Sequence, residues 1–373
     1  MSQEPWIIAG GGIAGLAAAI AVAPAPALLL ERDATFEEVG AGLQLGPNAV
    51  RALRTIGAWD AVEPYALSPP EIHIRDAITG ALLKRLRLKG DFEKAFGAPY
   101  RVIYRPDLHA ALLACARADR NLEIRMNENV SGLRSGGTGI SFSDAADAEI
   151  SGAFLLACDG VNSGLRQGAF PGTAAVDSGL TLHRALLAAP PAIASIDWSV
   201  INLWLGPGAH IVHYPVAREQ RINIVATAAN GVALASAHAR SCRAVQDLIA
   251  SVTSWLPWPG RYVPPLPRWR HGRMLLLGDA AHGTLPFLAQ GAAMALEDAA
   301  CVRSNGATLL LPDRGPDPAW EERRKRATHL HNETLGMLNY YHATGQQRHL
   351  RNLALGLLPA SLVLARNGWI YRG

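Results

Sequence analysis

Cysteine is scarce in this 373-residue chain: Cys115, Cys158, Cys242 and Cys301 each stand alone in an apolar context. None lies in a CxxC or HxxxH spacing, so neither a metal site nor a disulfide framework is expected. Reduced, buried thiols of a cytoplasmic protein are the simple account. A strong excess of one charge is missing too. The formal charge is +4 and the pI about 9.0, which favours small anions or phosphates slightly. The basic residues are not interleaved with aromatics, so nucleic acid is not implied. Internal repeats and long low-complexity linkers are absent. One uncharged run, Trp6 to Leu30, holds four glycines with Pro24 and Pro26 and lacks a cationic start, which argues against a signal peptide or a transmembrane segment. What the chain does have is size and apolarity. At 49% hydrophobic residues it can bury two domains with substantial cores.

The organising stretch is Pro5 to Arg32, PWIIAGGGIAGLAAAIAVAPAPALLLER. Trp6-Ile7-Ile8-Ala9 reads as a strand running into Gly10-x-Gly12-x-x-Gly15; an alanine-rich helix follows, then Leu28 to Leu30 as a second strand ending on Glu31. That is a dinucleotide fingerprint in the setting it requires. Gly10 permits the tight turn, Gly12 lets backbone approach a pyrophosphate, and Gly15 lets helix and strands lie close. The helix start offers amides and a positive dipole to phosphate. Glu31 is placed to accept hydrogen bonds from a ribose diol, which argues against a 2′-phosphate.

Further along, Phe36 to Pro47 is glycine-punctuated and reads either as a connecting loop or as backbone passing close to a planar ring, with Gln44 within it; a helix from Asn48 to Ile56 follows. Glu71 to Leu88 alternates in polarity around Thr79-Gly80, as a hairpin does. Arg105 stands at the entrance of a helix through Ala118, with Pro106 in its first turn. Strands are expected at Leu122 to Arg125, Val130 to Leu133, Ile140 to Phe142 and Phe154 to Cys158, the last buried on both faces and ending in Asp159-Gly160-Val161-Asn162-Ser163 with Arg166 beyond. Val200 to Leu205, His210 to Pro215 and Ile222 to Thr227 suggest a second sheet. Ser241 is a candidate cap for a helix through Val252, and the proline-rich Trp255 to Pro267 reads as an irregular crossing. Met274 to Leu277 is another buried strand, delivering Gly278-Asp279-Ala280-Ala281-His282. A turn with Pro286 leads to Gln290-Gly291-Ala292-Ala293, which opens a helix. Asp317 to Asn352 is charged and helical, and Leu353 to Leu364 is apolar but too short for a bilayer.

Four motifs therefore stand in one order: GxGxxG to Glu31, Arg105, DGxNSxxR at Asp159 to Arg166, and GDAAH at Gly278 to His282. Together they resemble, over nearly the whole chain, the single-component FAD-dependent aromatic hydroxylases, which include 4-hydroxybenzoate, salicylate, 3-hydroxybenzoate and 6-hydroxynicotinate hydroxylases. GAGLQLGPNA at Gly40 to Ala49, HIVHYPV at His210 to Val216 and LPFLAQGA at Leu285 to Ala292 look most like the salicylate-hydroxylase branch. The resemblance implies an α/β fold: a GxGxxG Rossmann-like FAD-binding domain (residues 1–70, 100–175 and 268–373) interleaved with a smaller mixed β-sheet substrate domain (71–99 and 176–267), with C-terminal helices. It implies that Gly10, Gly12, Ala14 and Gly15 lie by the pyrophosphate and Glu31 and Arg32 by the adenosine. Arg105, Val130 and Pro286 should also touch FAD. Asp159 belongs to a motif linked to both FAD and pyridine nucleotide, Asp279 should meet the ribityl chain, and Gln290, Gly291, Ala292 and Ala293 should turn backbone amides toward the isoalloxazine. Three departures from the family pattern are the early helix end before Pro24 and Pro26, Gly283 where proline is common, and Ala293 where a polar residue or cysteine often stands.

The resemblance further implies that NADH or NADPH reduces FAD, that molecular oxygen adds to flavin C4a, and that the hydroperoxide hydroxylates a small aromatic substrate. A homodimer is compatible with it. His213 and Tyr214, with His210 nearby, are the candidate catalytic residues; on an alternating strand His210 and Tyr214 share a face and His213 takes the other. A histidine suits acceptance of a phenolic proton near neutral pH, whereas His282 reads at least as well as a turn residue. Two rival readings share the FAD fold: a reductase or dehydrogenase of a lipid or pigment, and a non-catalytic flavin-binding protein.

Overall fold

The computed structural model describes residues 4–36, 40–135, 139–143, 149–217, 221–311 and 317–372. Its first layer is a six-stranded sheet in the order Arg270–His271, Met274–Leu276, Phe154–Ala157, Trp6–Ala9, Ala27–Glu31, Leu122–Met126. Every pair runs parallel except the first. Parallel strands need crossovers that cover both faces, which is why Ile7, Leu29, Leu155, Leu156 and Leu275 are fully buried. Each such side chain contributes roughly 1.5–3 kcal/mol by leaving water. The helix Ile13–Val22 lies against the helices Arg105–Arg117 and Gly291–Leu309. Its alanines explain the closeness: Ala17, Ala18, Ala19 and Ala21 are buried where bulkier side chains would hold the helices apart.

The second layer is a seven-stranded sheet, Leu256–Tyr262, Val176–Leu187, Arg221–Ala229, Ala209–Val216, Ile201–Gly206, Glu71–Asp76, Leu82–Arg87. It is antiparallel save where Ile201–Gly206 runs alongside Glu71–Asp76. Strand alternation gives it two distinct faces. One buries Trp204, Ile211, Ile224 and Ala226 with Val245 and Leu248 of the helix Arg243–Ala250. The other turns Val212, Tyr214 and Val216 toward Tyr100, Val102 and Tyr104, on a two-stranded ribbon of Gly42–Leu45 and Arg101–Tyr104. That ribbon belongs to the loop region whose nature the sequence leaves open; residues 37–39 of it lie outside the described residues. A three-stranded antiparallel sheet, Ser131–Ser135, Ile140–Ser143 and Glu149–Gly152, flanks the first layer.

Two expectations are corrected. The proline-rich Trp255 to Pro267 is not merely an irregular crossing, because Leu256–Tyr262 pairs with Val176–Leu187, placing Pro257 opposite His183 and Pro259 opposite Thr181. Its position at the sheet edge explains the tolerance, since a proline there forfeits no ladder hydrogen bond on the open side. Ser241 is not the helix cap; Cys242 occupies that place, with no side-chain cap hydrogen bond. At the other end, helices Pro318–Tyr341, Gly345–Leu357, Ala360–Asn367 and Trp369–Arg372 close the fold. Arg326 donates to Trp369 O and Ile370 O at 3.0 and 2.7 Å, and Arg51 to Tyr371 O at 2.6 Å, so the C-terminal turn is pinned to the first layer. Among the described residues no helix is long and apolar enough to cross a membrane.

Candidate functional site

Three turns at the carboxyl ends of the parallel strands meet at one place. In the first, Gly10 has φ +102°, and a Cβ there would lie 2.5 Å from the carbonyl oxygen of Cys158. A Cβ at Gly15 would overlap the Gly10 carbonyl, whereas one at Gly12 meets nothing within 4 Å. The space before Gly12 is thus open, and the first-turn amides of Ile13, Ala14 and Gly15 have no helical acceptor. Glu31 accepts from Gly11 N–H at 2.6 Å and from Asp33 N–H at 3.0 Å. Arg32 is largely exposed, 3.8 Å from Asp33, and Val130 packs half-buried against the nucleotide-layer core. His109 Nε2 donates to Gly11 O at 2.8 Å and its ring lies 5.2 Å from Phe36. Sequence reasoning missed His109, although it lies one turn beyond Arg105 on the same helix face.

The second turn carries Asp159, whose Oδ2 accepts from Leu165 N–H at 3.1 Å. Its Oδ1 is buried without a partner among the described residues, an arrangement that costs free energy unless a ligand supplies a donor. Arg166, fully buried, donates to Val161 O, Thr173 O and Ala280 O at 2.8, 2.9 and 2.9 Å. It therefore ties the second turn to the third. There, Gly278 has φ +58°, and a Cβ on it would stand 2.7 Å from Ala14 Cβ, so only glycine lets this turn rest on the first helix. Asp298 holds the turn from behind: its Oδ2 accepts from Gly278 N–H at 2.9 Å and from His282 at 2.6 Å, and its Oδ1 from Arg323 at 2.7 Å. Burial would raise the Asp298 pKa, but the charges of His282 and Arg323 hold it at about 2. His282 is consequently a buried strut of the turn, while Asp279 is left exposed at its rim.

Pro286 is exposed at the start of a short 3-10 turn, Pro286–Leu288. The chain then passes Ala289, at φ +52°, into the helix Gly291–Leu309. Gln290 turns its side chain inward to accept from Asn48 at 2.9 Å, leaving the amides of Gly291, Ala292 and Ala293 as the uncapped helix start. A Cβ at Gly291 would meet nothing within 4 Å.

The seven-stranded sheet faces these turns with side chains. Cross-strand register puts Arg184, Val225 and Val212 in one row and Leu186, Asn223 and Tyr214 in the next, on one face. That face meets the nucleotide layer, since Asn223 Oδ1 accepts from Gly42 N–H at 2.6 Å. Tyr214 is buried there and Gln44 accepts from Tyr100 Oη at 2.6 Å beside it. Arg184, which sequence reasoning missed, lies with its guanidinium 4.9 Å from the Trp258 ring centroid. Burial lowers its pKa and Arg105 adds to this, while Tyr214 and Asp279 oppose. No protein carboxylate pairs with Arg184 among the described residues.

His210 shares this face and is brought against Phe287 and Tyr341, with ring centroids 5.0 and 5.3 Å away. Its Nδ1 lies 2.9 Å from His342 Nε2 and 3.2 Å from Thr227 Oγ1. Burial, then the nearby histidines, push its pKa well down. His213 is on the opposite face, fully buried, where its Nε2 accepts from Trp204 Nε1 at 3.0 Å and its ring lies 5.0 Å from that of Trp198. Burial with the Arg75 charge lowers its pKa to about 3. The structure thus brings His210 and Tyr214, but not His213, to the side of the three turns. No group of three or more metal-ligating residues occurs among the described residues.

Residues 4–224 and 237–338 match the model of the FAD binding domain family. The chain is 32% identical to the 3-hydroxybenzoate 6-hydroxylase of Polaromonas naphthalenivorans (strain CJ2), covering 98% of this chain and 95% of the relative. It is 32% identical to the 6-hydroxynicotinate 3-monooxygenase of Bordetella bronchiseptica (strain ATCC BAA-588 / NCTC 13252 / RB50), covering 80% and 82%. Among solved structures, Klebsiella pneumoniae HpxO complexed with FAD and uric acid superposes with a TM-score of 0.83 at 22% identity, covering 100% of this chain and 97% of that one. A salicylate hydroxylase substrate complex does so with 0.79 at 21%, covering 100% and 96%. The residues present suit FAD: open space before Gly12 and Gly291, two uncapped helix starts and the orphaned Asp159 oxygen all await a polar, phosphate-bearing ligand.

Proposed function

This chain belongs to the FAD binding domain family and is an FAD-dependent monooxygenase, and we propose that it hydroxylates a small phenolic carboxylate. FAD, when bound, supplies electron transfer from NADH or NADPH and the activation of molecular oxygen. In this reading the amides after Gly12 hold the pyrophosphate, Gly10, Ala14 and Gly15 shape that turn, and Glu31 accepts from the ribose, with Arg32 outside it. Arg105, Val130, Asp159 and Pro286 flank the cofactor and Asp279 binds its ribityl chain. The amides of Gly291 and Ala292, positioned by Gln290, offset negative charge on the reduced ring. Residues 1–70, 100–175 and 268–373 serve the cofactor; 71–99 and 176–267 serve the substrate.

The observation that carries the carboxylate is Arg184, a half-buried guanidinium on the cleft face with no paired acid among the described residues. Arginine suits the planar, two-oxygen geometry of a carboxylate, and the relatives named for hydroxybenzoates and hydroxynicotinate carry that group on their substrates. Tyr214 orients the ring from beside Arg184. Neutral His210 accepts the hydrogen bond of the substrate phenol and, through Nδ1, shares its proton with His342 and Thr227. Electron density on the substrate ring rises as that proton moves. Phe287 and Tyr341 keep water from the exchange. The test is Arg184→Gln: KM for 3-hydroxybenzoate should rise roughly 100-fold, as expected for a buried charge pair left half-made, while KM for unsubstituted phenol and the bound-FAD spectrum stay put. Equal KM values in wild type and variant would remove Arg184 from the substrate site.

A further inference from the structure

We propose that the C-terminal helices seat this protein on an anionic lipid surface, lying in the plane of the headgroups. The helix Gly345–Leu357 turns Arg348, Arg351 and Asn352 inward. Arg348 donates to the buried carboxylate of Asp76 at 2.7 and 2.8 Å and Asn352 at 2.5 Å, with Arg351 3.8 Å away. Burial alone would raise the Asp76 pKa, but these hydrogen bonds and the Arg348 charge hold it well below the carboxylate range. The helix is therefore locked with its other face outward. That face presents Leu350, Leu353 and Leu357, 66%, 58% and 74% exposed, at a spacing that makes one stripe. Around Pro359, Leu358 and Leu362 are also 44% and 56% exposed. Five exposed leucines between Leu350 and Leu362 are an interaction surface, unlike apolar residues scattered singly.

Charge selects the occupant. Residues 334–373 hold four arginines and no aspartate or glutamate; Arg348 and Arg351 turn inward to Asp76, while Arg366 and Arg372 are exposed. The adjoining edge strand Leu82–Arg87 adds Lys84 on the face that meets these helices, with Lys89 just beyond. Lys84 donates to Leu358 O at 2.6 Å and Gly356 O at 3.4 Å, so this basic strand lies directly against the leucine row. A second copy of the chain, pairing through the same face, would set one acid-free C-terminal helical segment with exposed arginines against another. An anionic bilayer meets both features at once: leucines enter the acyl boundary while lysine and arginine stay at phosphate level. Nothing in this contact requires a membrane-crossing helix.

The FAD-loaded protein should float with vesicles of phosphatidylcholine containing about 30 mol % phosphatidylglycerol, not with phosphatidylcholine alone, and added salt should release it. Leu353→Ser with Leu357→Ser should weaken vesicle binding about tenfold or more with flavin spectrum and sedimentation unchanged. Arg366→Glu with Lys89→Glu should weaken it as well. Absence of flotation, equal flotation with neutral vesicles, or undiminished binding by both double variants would overturn the proposal. So would a lipid-free dimer that the leucine substitutions dissociate, which would hand the surface to a second copy.

Discussion

On one side of the cleft the candidate ligand-facing groups are backbone amides, borne by turns in which Gly10, Gly15 and Gly278 cannot be replaced without collision. On the other side the candidates are the side chains of Arg184, His210 and Tyr214, brought to one face from two strands of the seven-stranded sheet and aligned by their register with the strand between them. The two sides also differ in how they tolerate buried charge. The turn side is braced by ions, with Asp298 and Glu297 gripped by Arg323 and Arg326 at 2.6 to 3.1 Å. The sheet side is filled with histidines kept neutral by burial: His210, His213, His238 and His342. A rigid, charged mount suits a resident cofactor; a neutral wall suits a site where a proton must move without being trapped.

The sharpest way to break this contrast is to remove the brace. Asp298→Asn should cost about 3–5 kcal/mol, because Arg323 and His282 lose their shared counter-charge inside the fold. Thermal release of FAD, followed by its fluorescence, should fall to lower temperature, and a variant as stable as wild type would contradict the brace. Next comes one substitution made on two faces of one strand. His210→Asn should slow hydroxylation about 100-fold at unchanged FAD content, whereas His213→Asn should lower stability by about 1–3 kcal/mol and leave turnover within a few-fold. Equal rate losses would mean that the two faces are not functionally distinct.

Acid should separate the layers more gently. The folded-state pKa values of His213, about 3, and of His238 and His342, about 4, are lowered chiefly by burial. Unfolding returns each to about 6.5, so below that pH the unfolded chain binds more protons and stability falls, progressively from about 6.5 down to about 3. Asp298, held at about 2, contributes stability that is complete above its unfolded pKa of about 3.9 and lost only as pH falls through the folded value. Tryptophan fluorescence from Trp198 and Trp204, beside His213, should therefore change at higher pH than FAD release does. The reverse order would contradict the assignment.

Most of the turn side was legible in the chain because its signals are local. Strand, glycine spacing, helix and terminal Glu31 lie within one short stretch, and the strand Met274–Leu276 followed by GDAAH at Gly278 to His282 repeats the same logic. The parity of His210, His213 and Tyr214 was readable for the same reason. Arg184 was not, since nothing in its own strand says which face meets the cleft until Val225 and Val212 fix the register. His109 was hidden likewise: its partner is a carbonyl 98 positions away. Leu256–Tyr262 misled because its prolines argue against a strand, and only its edge position, a property of the assembled sheet, reconciles the two.

Oxygen uptake by the purified, FAD-loaded protein with NADH or NADPH tests the central claim most directly. The account predicts that 3-hydroxybenzoate or a related phenolic carboxylate stimulates uptake and is recovered with one added hydroxyl for each NAD(P)H consumed. Failure of every phenolic carboxylate to stimulate uptake, or uptake yielding hydrogen peroxide alone, would contradict it.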